Sequence, residues 1–333
     1  MASAGQKTSS EKKRSPRGRS FEVRLPASTS NLGAGFDCFA LALQLYLTVR
    51  ATADPKSKEK CRVQIRGTKE NTALPHNAEN LIYRSMAYVA KREAQDLPPL
   101  RLAVHNEIPV SRGLGGSAAA IVAGIKLFEL MYDRPLANDR VLQYATDFEG
   151  HADNVAATLL GSFVVTCVAA GSILAVKRSW PADIKVIVVS PELLLETKLA
   201  RAALPRVINH VDGVFNLQRA ALFNAALFEH RYDLLWEAMQ DRLHQRKRST
   251  LIPGLAEALA IPRQPGLLGI ALSGAGPSVL ALVRDRFDEI GQTIAHRFKQ
   301  HGIRTKIRQL EIDHPGCQTR VLGESASYTN DET

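Results

Sequence analysis

The residues best able to do chemistry lie in one segment, Pro109–Ala120, which runs PVSRGLGGSAAA. The apolar stretch before it is typical of a strand, and the Ala-rich stretch after it favours a helix. Gly113, Gly115 and Gly116 therefore lie at a helix N-terminus, where unpaired N–H groups and the helix dipole attract anions. The segment predicts a phosphate-binding loop, in which Ser117 can cap the helix or contact a phosphate or a metal ion.

The glycine pattern of this loop is compatible with two alternatives. A glycine-rich helix start also serves as an ordinary packing turn. The sequence contains no Gly-x-x-x-x-Gly-Lys-Ser/Thr, which excludes a Walker-type loop. The spacing of Gly113, Gly115 and Ala118 also fits the loose dinucleotide fingerprint, with Glu129 and Asp133 as ribose ligands. That fit is poor, because dinucleotide-binding glycines directly follow their strand, whereas a proline and several polar residues intervene here.

Two more polar, glycine-containing loops border apolar stretches that are typical of strands. They are Pro26–Asp37 (PASTSNLGAGFD) and Leu272–Ser278 (LSGAGPS). Taken singly, each is explained by turn chemistry, in which short polar side chains hydrogen-bond their own backbone. Three such loops, spread over the whole chain, together indicate a ligand site.

Length and composition indicate a globular protein of two domains. The chain has 333 residues, of which 45% are hydrophobic. Its four cysteines are far apart and lack metal-ligand spacing, which predicts reduced thiols and a cytoplasmic location. No apolar stretch approaches the roughly twenty residues of a membrane span, and no signal-peptide core is present, so no membrane partner is expected.

The first twenty residues form a basic segment that we expect to be a disordered tail. They hold six basic residues and one acidic residue, half of the formal net charge of +10. The basic character is therefore partly a property of the tail, and an aromatic content of 6% is low for a surface that stacks bases. No nucleic-acid partner is expected, although a non-catalytic nucleic-acid-binding protein remains a less favoured alternative.

The three loops resemble the motifs of the homoserine kinase branch of the GHMP small-molecule kinase superfamily. Two further segments are specific to that branch, Glu149–Phe163 (EGHADNVAATLLGSF) and Glu196–Pro205 (ETKLARAALP). A last match, Asp241–Gly254 (DRLHQRKRSTLIPG), has Arg246 and Lys247 where the family usually has Pro-Tyr, while Arg248 stays aligned. The resemblance covers roughly residues 21–310, and a homodimer is a family-level expectation.

The fold that the resemblance implies is α+β with two domains. The N-terminal nucleotide domain resembles ribosomal protein S5 domain 2, and the C-terminal GHMP domain is ferredoxin-like. The expected boundaries are 1–20 for the disordered tail, 21–175 for the N-terminal domain, 176–315 for the C-terminal domain and 316–333 for a flexible tail. Apolar periodicity predicts strands at 162–169 and 184–189 and helices at 214–240 and 287–300.

The activity that the resemblance implies is ATP-dependent phosphorylation of the side-chain hydroxyl of L-homoserine to O-phospho-L-homoserine, in threonine biosynthesis. The alternative within the superfamily is a kinase of mevalonate, a sugar or an isoprenoid precursor. The expected nucleotide-binding residues are Pro109, Arg112, Gly113, Leu114, Gly115, Gly116, Ser117, Ala118, Gly274 and Gly276. Magnesium takes few protein ligands, and Ser117 and Glu149 are the candidates.

An amino-acid alcohol presents an ammonium, a carboxylate and a hydroxyl. Asp37 suits the ammonium, and the guanidinium forks of Arg201 and Arg248 suit the carboxylate. Considered alone, each such residue is also accounted for by capping, surface charge or core packing. By resemblance, the substrate-binding residues are Asn31, Asp37, His151, Thr197, Arg201 and Arg248.

Phosphoryl transfer requires positioning and charge neutralisation more than a strong base. Other GHMP kinases use an aspartate as base in the segment corresponding to His151–Asn154, whereas the homoserine branch lacks an obvious base. Asp153 is therefore a candidate base and Asn154 a candidate positioning group. Loss of the hydroxyl proton to a phosphate oxygen or to water is the open alternative.

Overall fold

The computed structural model describes residues 19–324, apart from the side chains of Lys69, Glu70 and Glu324. Residues 1–18, which hold most of the predicted basic tail, and residues 325–333, the end of the predicted flexible C-terminal tail, lie outside the described residues. The strands are β1 (Arg19–Asn31), β2 (Gly35–Ala53), β3 (Cys61–Gly67), β4 (Leu100–Asn106), β5 (Phe163–Ala169), β6 (Ser172–Arg178), β7 (Lys185–Pro191), β8 (Leu267–Leu272), β9 (Val279–Val283), β10 (Thr305–Leu310) and β11 (Gln318–Glu324). The helices are α1 (Leu81–Arg92), α2 (Gly116–Tyr132), α3 (Asn138–Glu149), α4 (Asp153–Leu160), α5 (Thr197–Ala202), α6 (His210–Phe228), α7 (Leu235–Ala238), α8 (Gln245–Arg248), α9 (Leu255–Leu259) and α10 (Phe287–Lys299). Short 3₁₀ turns lie at Lys69–Ala73, Tyr232–Leu234 and Ser249–Leu251.

The N-terminal sheet is organised around the long strand β2. It pairs antiparallel with β1 along most of its length, with β5 near its start and with β4 near its end. β1 alternates in the way a sheet packed on one face requires, with Phe21, Val23 and Leu25 fully buried. Helices α2 and α4 pack on β1, and α1 packs on α2. The helix that follows the predicted phosphate loop is thus held in the centre of the core.

The second sheet has the strand order β10-β7-β9-β8, and all its pairs are antiparallel. Strands β8 and β9 are buried along their whole length, because α9, α10 and α7 cover the sheet. The elements follow the βαββαβ order that a ferredoxin-like domain requires. Between residues 19 and 324, no helix is both long enough and apolar enough to cross a membrane.

The structure corrects the predicted boundaries at three places. The boundary set between residues 175 and 176 falls inside β6, and the chain changes sheet only between Arg178 and Lys185. The flexible tail predicted from residue 316 is wrong over β11, which pairs with β1, and Arg19 and Ser20 belong to β1 rather than to a tail. β11 is a short, largely polar edge strand with little apolar periodicity, so the sequence does not indicate it and only its pairing with β1 in the structure identifies it.

The helix predicted over 214–240 is also divided. Helix α6 ends at Phe228, and His230 then takes a left-handed conformation with φ +54° before a short 3₁₀ turn and α7. Apolar residues continue across the break at helical spacing, which is why periodicity alone joins the two helices. The other predicted helix and both predicted strands match α10, β5 and β7 to within one or two residues.

Helix α2 packs so closely on α1 that Gly124 has no room for a side chain. A Cβ atom at Gly124 would lie 2.1 Å from Ser85 Oγ and 2.3 Å from the Ile82 carbonyl oxygen. We expect Gly124→Ala to lower the free energy of unfolding by about 1–3 kcal/mol, because the two helices must separate. Denaturant unfolding followed by circular dichroism measures this change.

The matched control is Gly213→Ala in α6, where a Cβ would meet only Ile208 Cδ1 at 3.4 Å. Alanine has the higher helix propensity, so this variant should be neutral or more stable by up to about 1 kcal/mol. Equal losses in the two variants would show that helix packing at Gly124 is not the cause.

Candidate active site

A cavity of about 410 Å³ lies where the three glycine-containing loops converge. All the site residues that the sequence predicts line this cavity, except Ala118 and Gly276. The predicted first loop is mostly strand, because β1 continues to Asn31 and β2 begins at Gly35, so that only residues 32–34 form the turn between them. The second loop joins β4 to α2, and the third joins β8 to β9. Residues more than 240 positions apart in the sequence therefore share one wall.

Hydrogen bonds connect the three loops directly. The Ser28 N–H donates to the Leu114 carbonyl oxygen at 3.2 Å, which joins the first loop to the second. The Ser273 hydroxyl donates to the Gly113 carbonyl oxygen at 2.6 Å, which joins the third loop to the second. The phosphate loop is thus held from two sides by contacts to its main chain.

Two glycines of the phosphate loop are required by these contacts. Gly113 has φ +73°, and a Cβ there would lie 2.1 Å from the Ser273 carbonyl oxygen. Gly115 has φ +68°, and a Cβ there would lie 2.0 Å from Ser28 Oγ. Gly116 differs, since its Cβ would make an ordinary 3.6 Å contact with an isoleucine methyl group. A side chain is therefore excluded at the first two positions and tolerated at the third.

The start of α2 presents unpaired donors to the cavity. Its first backbone hydrogen bond runs from the Ala119 N–H to the Gly115 carbonyl oxygen at 3.0 Å, so the N–H groups of residues 115–118 have no intrahelical partner. Ala118 is fully buried and can contribute only its N–H. Gly276 lies outside the cavity wall and packs behind Gly113, whose ideal Cβ position is 2.9 Å from the Gly276 nitrogen.

The two predicted metal ligands are in contact. Ser117, in the first turn of α2, donates a hydrogen bond from Oγ to Glu149 Oε2 at 2.6 Å, and the Glu149 side chain is 14% exposed. The described residues contain no group of three or more His, Cys, Asp or Glu side chains placed to hold a metal ion. One hydroxyl and one carboxylate oxygen form a hard donor pair that suits Mg²⁺, which takes few protein ligands when phosphates supply the others.

The opposite end of the cavity carries the charged groups expected to bind the acceptor. Arg201 donates two hydrogen bonds to Asp37, at 2.7 and 3.0 Å. Arg248 is 1% exposed, and no carboxylate of the described residues lies within 4.0 Å of its guanidinium. Burial and the charge of Arg201 lower the pKa of Arg248 to about 10, so it stays protonated at neutral pH. Asp37, Asp241 and Asp153 attract Arg248 without pairing with it directly, so its guanidinium can form an ion pair with an anionic ligand group.

His151 and Asp153 form a buried pair between the two ends. His151 Nδ1 lies 2.6 Å from Asp153 Oδ1, and its Nε2 lies 3.7 Å from Glu149 Oε1. Burial favours the neutral form of each group, but their mutual hydrogen bond and charges outweigh it, so the pKa of His151 is raised and that of Asp153 is lowered. A carboxylate with a lowered pKa is a weak proton acceptor, and the geometry suits Asp153 to orienting His151.

The two predicted asparagines hold the loops together. Asn154 donates to Ser30 Oγ and accepts from Ser28 Oγ, both at 2.9 Å. Asn31 donates to the Gly274 carbonyl oxygen at 2.9 Å and accepts from the Asp37 N–H at 3.0 Å. Both amides line the cavity and shape its wall through these contacts.

The remaining predicted residues border the mouth. Thr197 opens α5, is exposed and lines the cavity one turn before Arg201. Arg112 donates from Nη1 to the Leu193 carbonyl oxygen, which links the phosphate loop to the segment before α5.

Sequence motifs did not indicate one part of the site, an apolar compartment beside the phosphate loop. Its residues come from β2, from β3, from β4 and the segment after it, and from the start of α1 and the segment before it, where they look like ordinary core residues. Asn106, which hydrogen-bonds Asn71 at 2.7 Å, forms its polar edge. The compartment is lined by Leu47, Ile65, Leu74, Pro75, Leu81, Ile82, Val104, Asn106 and Ile108.

Comparison with known proteins places the chain in a family. Residues 80–162 match the GHMP kinases N terminal domain, and residues 223–300 match the GHMP kinases C terminal domain. A protein named homoserine kinase from Desulfitobacterium hafniense is 37% identical over 296 residues, which cover 89% of this chain and 98% of that protein. The chain belongs to the homoserine kinase family of GHMP kinases.

Two further relatives of the family agree. The homoserine kinase of Deinococcus radiodurans is 42% identical over 288 residues, covering 86% of this chain and 91% of that protein. The crystal structure of homoserine kinase from Cytophaga hutchinsonii has a TM-score of 0.79 at 26% identity, covering 95% of this chain and all of that one. The predicted family and the two-domain α+β fold are confirmed, while the likenesses to ribosomal protein S5 domain 2 and to ferredoxins stay predictions.

The His151–Asp153 pair can be tested by titration. We expect Asp153→Asn to lower the pKa of His151, because burial then acts against protonation without the opposing carboxylate. NMR titration of the imidazole signals measures this shift. Glu149→Gln is the matched control and should lower the pKa less, since that carboxylate lies 3.7 Å from the ring. An unchanged His151 pKa in Asp153→Asn would refute the pairing.

Proposed function

We propose that the protein transfers the γ-phosphoryl group of ATP to the side-chain hydroxyl of L-homoserine, forming O-phospho-L-homoserine in threonine biosynthesis. The observation that carries this proposal is the division of one cavity into two ends. One end holds a helix N-terminus with free N–H groups, and the other holds the Asp37–Arg201 pair beside the buried Arg248. The names of the curated relatives point to the same reaction.

The acceptor end suits a zwitterion. An incoming amino acid brings both charges, so its ammonium can replace Arg201 at Asp37 while its carboxylate pairs with Arg201 and Arg248. The exchange keeps every charge compensated, which is necessary where burial makes an unpaired charge costly. Mevalonate lacks the ammonium and a sugar lacks both charges, so neither would satisfy Asp37 and the two arginines.

The nucleotide end suits ATP. The N–H groups at the start of α2 can bind the phosphates, and the adjoining apolar compartment has the character needed for a purine base. Ser117 and Glu149 would hold Mg²⁺, which neutralises phosphate charge when bound. The Ser117–Glu149 hydrogen bond of 2.6 Å places both oxygens beside the phosphate loop.

We assign Asp153 a positioning role rather than that of a base. Its carboxylate is buried, accepts from His151 and from the Asn154 N–H at 2.7 Å, and has a lowered pKa. His151 is then fixed with Nε2 toward Glu149 and the cavity. The hydroxyl proton leaves to an oxygen of the transferred phosphoryl group, since positioning and charge neutralisation carry most of this reaction.

We also propose a homodimer in the cytoplasm, with no nucleic-acid or membrane partner. The outer edge of β6 supports the dimer, because within the described sheet β6 pairs only with β5. Leu174 and Val176 on this strand are 55% and 58% exposed. An unpaired edge strand with exposed apolar residues is a site where a second copy can add.

The test of the proposed function is an ADP-release assay with purified protein, magnesium and ATP. The acceptors are L-homoserine, L-serine, L-threonine, mevalonate and galactose. We expect turnover selective for L-homoserine, with O-phospho-L-homoserine identified by ³¹P NMR. Turnover of mevalonate or galactose instead would assign another GHMP kinase activity, and turnover of none would refute the proposal.

The phosphate loop offers a matched pair of variants. Gly115→Ala should lower kcat/KM for ATP about tenfold or more, because its Cβ would clash with Ser28 in a left-handed backbone. Gly116→Ala should remain within about threefold of wild type, since its Cβ finds an ordinary contact. Initial rates at varied ATP measure both, and equal effects of the two changes would contradict this account of the loop.

A further inference from the structure

A second histidine, His244, lies behind the acceptor end of the cavity and has no role in the reaction proposed above. It is fully buried immediately before α8, four residues before Arg248. Its Nδ1 lies 3.3 Å from Arg248 Nη1, and its Nε2 lies 2.9 Å from the Gly33 carbonyl oxygen. The ring therefore connects the buried arginine to the loop that carries Asp37.

These contacts assign the tautomer of the ring. A guanidinium can only donate, so Nδ1 must accept from Arg248, and the hydrogen must be on Nε2, where it is donated to Gly33. Burial first and the charge of Arg248 next lower the pKa of His244, which agrees with a neutral ring. Asp241 Oδ2 is 3.7 Å from Nε2, but this carboxylate accepts N–H groups at the start of α8 and the amide of Asn216.

The hydrogen bonds of Arg248 leave one edge of its guanidinium for a ligand. Nη1 donates to His244 and, at 3.1 Å, to the Gly274 carbonyl oxygen, while Nε donates to the Ala200 carbonyl oxygen at 3.3 Å. Within the part of the chain that the structure describes, Nη2 has no acceptor. The guanidinium lines the cavity, so a ligand carboxylate would meet Nη2.

The Nη2 edge of Arg248 needs contacts with neighbouring side chains to keep its orientation, because Arg248 and Arg201 repel each other. Phe36 supplies one of these contacts, since the two guanidinium carbons lie 5.2 and 5.8 Å from its ring centroid. The His244 ring stacks on Phe36, with centroids 5.1 Å apart and an interplanar angle of 27°. His244 thus contacts Arg248, its aromatic support and the first loop at once.

We infer that His244 is a positioning residue for the acceptor carboxylate. Its hydrogen bond to Arg248 turns the free edge of that guanidinium toward the cavity, and its hydrogen bond to Gly33 fixes the guanidinium in position relative to Asp37. This inference rests on the proposed function, and it assigns His244 no contact with substrate. An ordinary buried histidine would affect stability and both substrates alike. A positioning residue would affect the amino-acid acceptor selectively.

The experiment compares two substitutions in the full-length protein. His244→Phe keeps an aromatic ring but loses both hydrogen bonds, whereas His244→Asn keeps an acceptor near the position of Nδ1. We expect His244→Phe to raise KM for L-homoserine about tenfold or more, with KM for ATP within about twofold of wild type. His244→Asn should recover most of this loss. His230→Phe, whose ring contacts only Tyr232 among the described aromatic and hydrogen-bonding groups, is the control and should match wild type.

A double-mutant cycle with Arg248→Met tests whether His244 changes KM for L-homoserine through Arg248. If His244 acts through Arg248, His244→Phe should add less than about twofold to KM for L-homoserine in the Arg248→Met background. Thermal unfolding of every variant reports folding, and isothermal titration with L-homoserine reports binding where turnover is lost. If His244→Phe does not fold, His244→Leu, which also lacks both hydrogen bonds, takes its place in every comparison.

Three results would overturn the inference: an unchanged KM for L-homoserine in His244→Phe, an equal rise of both KM values, or fully additive effects in the cycle. A wild-type protein without turnover of L-homoserine would instead refute the proposed function. The two failures are therefore distinguishable.

Discussion

Close contact between the main chains of three distant loops is the constraint on which the site depends. The phosphate loop lies between Ser28 on one side and Ser273 on the other, at distances that a side chain on Gly113 or Gly115 would prevent. Because these loops belong to both sheets, the contact also fixes how the acceptor end faces the nucleotide end. The buried packing of α2 then fixes the position of its N-terminus, where the phosphate site is predicted.

The contacts between the loops also bring the charged side chains of the acceptor end together. The charges of Asp37 and Arg201 neutralise each other in an ion pair. Arg248 is buried with no carboxylate of the described residues within 4.0 Å, and its guanidinium donates hydrogen bonds to carbonyl oxygens and to a neutral histidine instead. A buried cation in this state is stabilised by an anionic ligand and selects for one. The proposed specificity of the site thus depends on a buried cation that no carboxylate of the described residues contacts directly.

The structure shows intramolecular partners for several residues whose predicted roles stay predictions. Asn31 and Asn154, expected to contact substrate or to position it, use their amides between loops. Asp153, expected as a base, is paired with His151. In each case the residue lies where it was predicted. The sequence could not show these contacts, because Ser28, Ser30 and Gly274 lie more than a hundred positions from the asparagine that each contacts, and because only the fold buries Asp153 against His151.

The sequence by itself determined the three glycine-containing motifs, the types of the charged residues and the family, since these depend on short stretches of sequence. It also located strands and helices with strong apolar periodicity, such as β7 and α10. Only the tertiary structure decided β11, the apolar compartment, the end of α6 and the pairing of Asp37 with Arg201. These depend on contacts between distant segments, and such contacts leave no periodic signal in the residues that make them.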